Sequence, residues 1–488
     1  MNATPIRRWS TYANYARASL LLLLLVPTLV WLGRGNVAGY AVLLISLLLF
    51  AQSLFSLYLM LYTWDHPERL EASRGPSDFA PPQLSFTVLL PARHAWAVIY
   101  RTIHHAWAVN YPRELLEIVV ICHADDHGTI AEARRAIAAI GSKRLRVETF
   151  DDAPINKPHG LNVGLRTTRN AVVTIFDAED DIDAEILNVT NTVMMREQVG
   201  IVQAGVQLMN YRDHWFSIHN CLEYFFWFKS RLHYHAHHGM VPLGGNTVFI
   251  RRKLLEQAGG WDETCLTEDA EIGIRLSVLG KRVRVVCDPQ RVTREETPDT
   301  IAQFIKQRTR WHQGFIQVFR KGAWRGLPRL DQRLLAIYTL TYPLFQAMLF
   351  LLWPAMLIAV LWLKLPVSVA LISFLPLYAF VLQLFVSVVG AYLFCREYAM
   401  RFTPLLAVQM TLTFIPYQLM MSVSAVRAIM REALRQNNWE KTAHSGAHRQ
   451  GEADQGSLVL QIEQARAIGM LVSPADAQKA PMGVRRER

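Results

Sequence analysis

Apolar residues are clustered at the two ends of this chain, around a middle in which short apolar runs alternate with polar, helix-like stretches. Ser19 to Leu32 and Val37 to Tyr62 are almost uninterrupted runs. Each approaches or exceeds the roughly 20 residues that span a bilayer, so the pair predicts a helical hairpin over 1–66. A polar, proline-containing linker follows over 67–83. From 84 to 327, Ser85–Pro91, Glu117–His123, Arg146–Phe150, Ala171–Asp177 and Gly200–Val206 read as buried strands separated by helical segments. That alternation predicts βαβ units and a mostly parallel sheet. Three further apolar stretches, Leu334–Leu363, Val367–Phe394 and Phe402–Val426, predict interfacial and transmembrane helices over 328–430. The first carries Pro343 and Pro354, which leaves room for a re-entrant turn or an interfacial helix. Residues 431–488 are polar and irregular, a composition that predicts a largely disordered tail.

Charge sharpens this picture. The chain of 488 residues has a net charge of +11, and Arg7, Arg8, Arg17, Arg427, Arg431 and Arg435 flank apolar stretches. Basic flanks mark the cytoplasmic side of membrane helices, so the middle domain and 431–488 are expected in the cytoplasm. Hydropathy gives five crossings, whereas the basic flanks require an even number. No nucleic-acid-binding signature accompanies the positive charge. The five cysteines are scattered, with none at Cys-x-x-Cys spacing, which argues against disulfides and thiolate metal sites and for a reducing compartment.

Four polar constellations sit where strands end, the place where open α/β sheets bind ligands. Asp125 lies in a turn after the second strand, where a carboxylate can meet a nucleotide's base or ribose, although Asp/Gly turns are common. The fourth strand runs into Asp177-Ala-Glu179-Asp180-Asp181. Like charges that close repel unless a cation or solvent neutralises them, and carboxylates beside a diphosphate suit Mg²⁺ or Mn²⁺. Thr267-Glu268-Asp269 precedes a helical stretch, where acids also serve as caps. Gln307-Arg308-Thr309-Arg310-Trp311 offers a phosphate clamp in Arg310 and a sugar-stacking face in Trp311, or simply a basic helix beside a membrane.

Taken in order, Asp125, Asp177-Ala-Glu179, Thr267-Glu268-Asp269 and Gln307-x-x-Arg310-Trp311 resemble the motif set of the processive-type family 2 glycosyltransferases, relatives of cellulose, chitin and hyaluronan synthases. The resemblance implies an α/β fold, a GT-A-like Rossmann-type domain inserted between transmembrane helices. It also implies a nucleotide-sugar donor (a UDP- or GDP-sugar), a glycan or lipid-linked acceptor and β-linkage, with possible processive export. Asp177 and Glu179 would hold the metal, and Asp269, beside Glu268, would be the general base. Donor and acceptor contacts would come from Asp125, Lys157, Gln203, Gly245, Asn246, Gln307, Arg310 and Trp311. Trp439-Glu-Lys-Thr442 resembles a cytosolic motif after the last helix. The family often has a glutamate soon after the first strand's proline; here Ala92-Arg93-His94-Ala95-Trp96 supplies none. The rival reading is a transporter or scaffold whose domain binds nucleotides without chemistry. Turnover separates the two.

Overall fold

The computed structural model describes residues 36–64, 67–362 and 371–440. Ser19–Leu32 and the tail beyond Glu440 lie outside the described residues.

A seven-stranded sheet organises the middle of the chain, in the order β3-β2-β1-β4-β7-β5-β8. Its strands are β1 (Phe86–Pro91), β2 (Leu116–His123), β3 (Leu145–Phe150), β4 (Val172–Ile175), β5 (Ile201–Ala204), β7 (Val248–Arg251) and β8 (Val283–Val286). The short β6 (Val206–Leu208) and β9 (Thr293–Glu295) pair separately. The five strands expected from the sequence are present within a few residues. They were legible because parallel strands covered on both faces need apolar residues at consecutive positions. Val88, Ile118 and Val120 pack into one core, and Leu89, Val119 and Ile121 into another on the opposite face.

β7 departs from the parallel rule, pairing antiparallel to both β4 and β5. Its reversal has a purpose in space. Val248, which opens β7, lies beside Ile175, which closes β4. The loop entering β7, Gly244–Thr247, is thereby delivered to the sheet edge where Asp177 follows β4.

Eight helices matter below: α1 (Asn36–Leu61), α2 (Lys157–Thr167), α3 (Ser217–Phe226), α4 (Glu268–Val278), α5 (Ile301–Lys321), α6 (Leu330–Trp362), α7 (Leu375–Glu397) and α8 (Pro404–Ala433). The helical stretch expected from Ala270 begins two residues earlier, which brings Glu268 and Asp269 into the first turn of α4. α6 is one continuous helix through Pro343 and Pro354, not a re-entrant turn. All five cysteines are buried and unpaired.

Among the described residues, Leu43–Leu61, Leu371–Glu397 and Pro404–Ala433 are long and apolar enough to cross a membrane. α8 is set apart by what holds its ends. Before it, the Arg401 carbonyl accepts hydrogen bonds from Tyr211 and Arg212 of the sheet domain, at 3.1 and 3.0 Å. Near its far end, Arg431 donates to Gln313 of α5 at 2.9 Å. Between these points Tyr417 packs with Phe216 and Phe304 of the domain. The outer face carries Leu405, Val408, Leu412, Ile415, Leu419 and Val423, a stripe at steps of three and four residues, all exposed. A helix with one face on protein and an apolar stripe on the other has the pattern of an element that meets protein on one side and lipid on the other.

Candidate functional site

The site begins at the turn after β4. Asp180 is fully buried, and its carboxylate accepts the Asp177 backbone N–H at 2.8 Å, closing the turn. The Asn246 amide donates to both Asp180 oxygens, at 3.1 and 3.0 Å, and to Glu295 of β9. Burial raises the Asp180 carboxyl well above its usual range, and the nearby charges of Glu295, Asp177 and Glu179 add to the effect. Asp180 and Asn246 thus fix the turn, while Asp177 remains half-buried at its outer side.

Lys157 opens α2, whose start is capped by Asn156 accepting the His159 N–H at 3.0 Å. The Lys157 ammonium sits 2.5 Å from Asp177 Oδ1 and donates to the Gly245 carbonyl at 3.0 Å. Burial opposes its charge, but Asp177, Glu268 and Asp269 outweigh that and hold it protonated above the ordinary lysine range. Asp269 reaches the same point from α4: a Cβ on Gly245 would lie 3.0 Å from Asp269 Oδ2 and 3.5 Å from Lys157 Nζ. Glycine at 245 is what lets the loop, the ammonium and the carboxylate meet. Burial raises Asp269, against the pull of Lys157 and Arg310. Burial and the Asp269 charge lift the neighbouring Glu268 to about 7.

α5 closes the other side. A Cβ on Gly314 would lie 2.4 Å from the Thr267 side chain, so α5 rides directly on the turn that presents Glu268 and Asp269. The Arg310 guanidinium lies 4.6 Å from the centre of the Trp439 ring. Its charge reaches both Glu268 and Asp269. Trp439 is held by its surroundings: Glu440 receives Arg427 at 2.8 and 2.7 Å and Arg431 at 2.9 Å. Trp311 is half-buried, with the Arg308 guanidinium 4.4 Å over its ring. Arg308 is in turn anchored by Asn220 and by Glu223 at 2.6 Å, both on α3. Gln307 is buried one turn before Arg310 and Trp311 on α5.

The residues expected from the sequence therefore divide. Lys157, Asp177, Gly245, Glu268, Asp269 and Arg310 are brought together. Gln203 is fully buried instead. Its amide accepts the Gly244 N–H at 2.8 Å and donates to the Asn246 and Thr247 carbonyls at 3.1 and 3.3 Å. It shapes the Gly244–Thr247 loop, as Asn246 shapes the acidic turn. Asp125 is exposed beyond β2, between His123 at 2.6 Å and Arg93 at 3.2 Å. The His123 hydrogen bond, then Arg93, lowers its carboxyl. Arg93 occupies the stretch that lacks the family's glutamate. The sequence reading missed the part played by Arg308; a cation one position from Gln307 on a helix has no distinguishing spacing. Among the described residues, no three His, Cys, Asp or Glu side chains gather closely enough to cage a metal by themselves.

This fold and site define a class. Residues 81–314, just under half of the chain, match the family described as "Glycosyltransferase like family 2". It is similar to a probable glycosyltransferase, YdaM, of Bacillus subtilis, at 25% identity over 47% of this chain and 54% of the relative. A beta-monoglucosyldiacylglycerol synthase of Nostoc sp. is 25% identical over 47% of this chain and 49% of its own length. The chain thus spans about half the length of these curated relatives. A solved structure of the mannosyltransferase PcManGT from Pyrobaculum calidifontis, in complex with GDP-Man and Mn²⁺, shares the fold. Its TM-score is 0.54 at 20% identity, covering 80% of this chain and 99% of that one.

Proposed function

We propose that this chain is a membrane-bound, inverting glycosyltransferase. It moves a sugar from a UDP- or GDP-sugar to a hydroxyl of a glycan or lipid-linked acceptor and forms a β-linkage. The convergence of Lys157, Asp177 and Asp269 on Gly245 carries this reading. One carboxylate and one fixed cation at a single point are what displacement of a diphosphate by a hydroxyl requires.

Asp269 is the general base. It takes the acceptor hydroxyl's proton as the oxygen attacks the anomeric carbon, and the bond to the diphosphate breaks on the opposite face. One base and one displacement invert the anomeric centre. Lys157 and Arg310 provide fixed positive charge where the leaving group gains negative charge. Trp311, steadied by Arg308, offers a flat face to the acceptor sugar. Asp177 and Glu179 fit Mg²⁺ or Mn²⁺: two hard oxygen donors suit an ion that completes its shell with phosphate oxygens and water. When bound, such an ion would neutralise the departing diphosphate. The catalytic domain faces the cytoplasm, a reading supported by Arg427, Arg431 and Arg435 beside the final helix.

The test is nucleoside diphosphate release by the purified chain from a panel of UDP- and GDP-sugars with Mn²⁺. Asp269→Asn should lower turnover on the order of 10²–10⁴-fold and spare nucleotide binding. Wild-type turnover should fall as pH drops below about 7, where the Glu268–Asp269 pair takes up a proton. Nucleotide binding without release from any donor leaves the scaffold reading standing.

A further inference from the structure

Lys157 and Asp269 belong to segments far apart in sequence, and something must set the distance between them. One face of the segment 156–162 does so. The Asn156 amide donates to the Glu263 carbonyl at 2.8 Å. The Asn162 amide donates to the Trp261 carbonyl and to Glu263 Oε1, both at 2.8 Å, and accepts the Trp261 N–H at 2.9 Å. Gly260 has φ +74° there, and a Cβ on it would meet Asn162 Oδ1 at 2.4 Å. Between the two asparagines, three residues from each, stands His159, 4% exposed. Its Nδ1 lies 2.9 Å from Glu263 Oε2 and its Nε2 lies 3.0 Å from Asp152 Oδ1.

An imidazole with a carboxylate on each nitrogen is satisfied only when both nitrogens carry hydrogen. We propose that His159 is a positioning residue, held as an imidazolium between Glu263 and Asp152. It locks the start of α2 to the loop leading into Thr267–Asp269, and so makes turnover fall as pH rises. The proposal rests on the glycosyltransferase reading only for its catalytic consequence; the clasp itself does not.

The groups facing His159 are Glu263 from the loop before α4 and Asp152 from the loop after β3, with the Phe150 ring at 5.1 Å. Arg166, on α2, acts on both carboxylates. Burial opposes the His159 charge, but the bonds to Glu263 and Asp152 win and raise it above 6.5. The sign follows. The clasp is complete below about 6.5, and it is lost as pH rises through the higher value that His159 has in the folded protein. Glu263 has 29% side-chain exposure and Asp152 has 63%, so Glu263 contributes more, because solvent screens the exposed partner.

The test is the pH profile of kcat and donor KM for the full chain in detergent with Mn²⁺. Wild-type kcat should fall on the alkaline side. Glu263→Gln should move that fall toward neutral pH, and Asp152→Asn should move it less. His159→Gln should remove the limb and lower kcat about tenfold at pH 6.5 with little change in KM, the size expected for a sub-ångström misplacement. An alkaline limb unmoved in all three variants overturns the proposal. If no donor is turned over, the pH dependence of thermal unfolding decides it. A Tm gap between wild type and His159→Gln that closes as pH rises supports the charged clasp, and a gap independent of pH overturns it.

Discussion

A glycine decides how close Asp269 and Lys157 stand. Gly245 has no side chain to hold Asp269 and Lys157 apart, and its carbonyl also accepts from the lysine. Adding one methyl at 3.0 Å from Asp269 Oδ2 must push that carboxylate or the loop aside by a few tenths of an ångström. Misplacement of a reacting group by about 1 Å costs on the order of 10²-fold in rate. Gly245→Ala should therefore lose about tenfold in kcat while folding normally, as read by turnover beside circular dichroism. At this scale much of the clustering was legible: Asp177, Glu268, Asp269 and Arg310 stand in motifs whose order marked them, and Lys157 was added by the family resemblance those motifs carry. Gln203 and Asn246 were marked too, but their spacing does not reveal that their amides are engaged by backbone and by Asp180. Burial of a polar residue depends on what folds over it, and that information lies elsewhere in the chain. The pairing of Asp125 with Arg93 is another case, since it joins two strand ends.

Elements place these residues by close approach. α5 contacts the start of α4 because Gly314 leaves no Cβ against Thr267, which would otherwise be 2.4 Å away. Two effects compete in Gly314→Ala. Alanine gains about 1 kcal/mol in a helix interior over glycine. Overpacking at such a contact costs about 1–3 kcal/mol. The contact involves Thr267 at its Cβ as well as its tip, so the side chain cannot swing clear and the cost prevails. Gly314→Ala should lower the unfolding midpoint in detergent and reduce turnover with it; an unchanged midpoint would mean that α5 sits farther from the turn. The strands were readable because both faces of the sheet are covered, which writes continuous apolar runs into the sequence. The antiparallel β7 was not, for its four residues carry no signal of direction.

Across the whole molecule, hydropathy counted α8 as a crossing, and on composition alone it qualifies. Its exposed apolar residues fall on one stripe while Met410, Phe414 and Tyr417 turn inward. Both approaches to the helix are tied to the sheet domain, through Arg401 and through Arg431. A helix moored at both ends to one body is expected to keep both of its ends on that body's side of a bilayer. Single cysteines placed in 398–403 and at Asn437 should accordingly label from the same side as one placed on the sheet domain. Labelling of Asn437 from the opposite side would mean that α8 crosses. With both ends of α8 on the domain's side, the segment bearing Trp439 would lie in the same compartment as the sheet domain. Under the proposed function, the ring resting on Arg310 would then share a compartment with incoming donor and departing diphosphate, with no barrier between them.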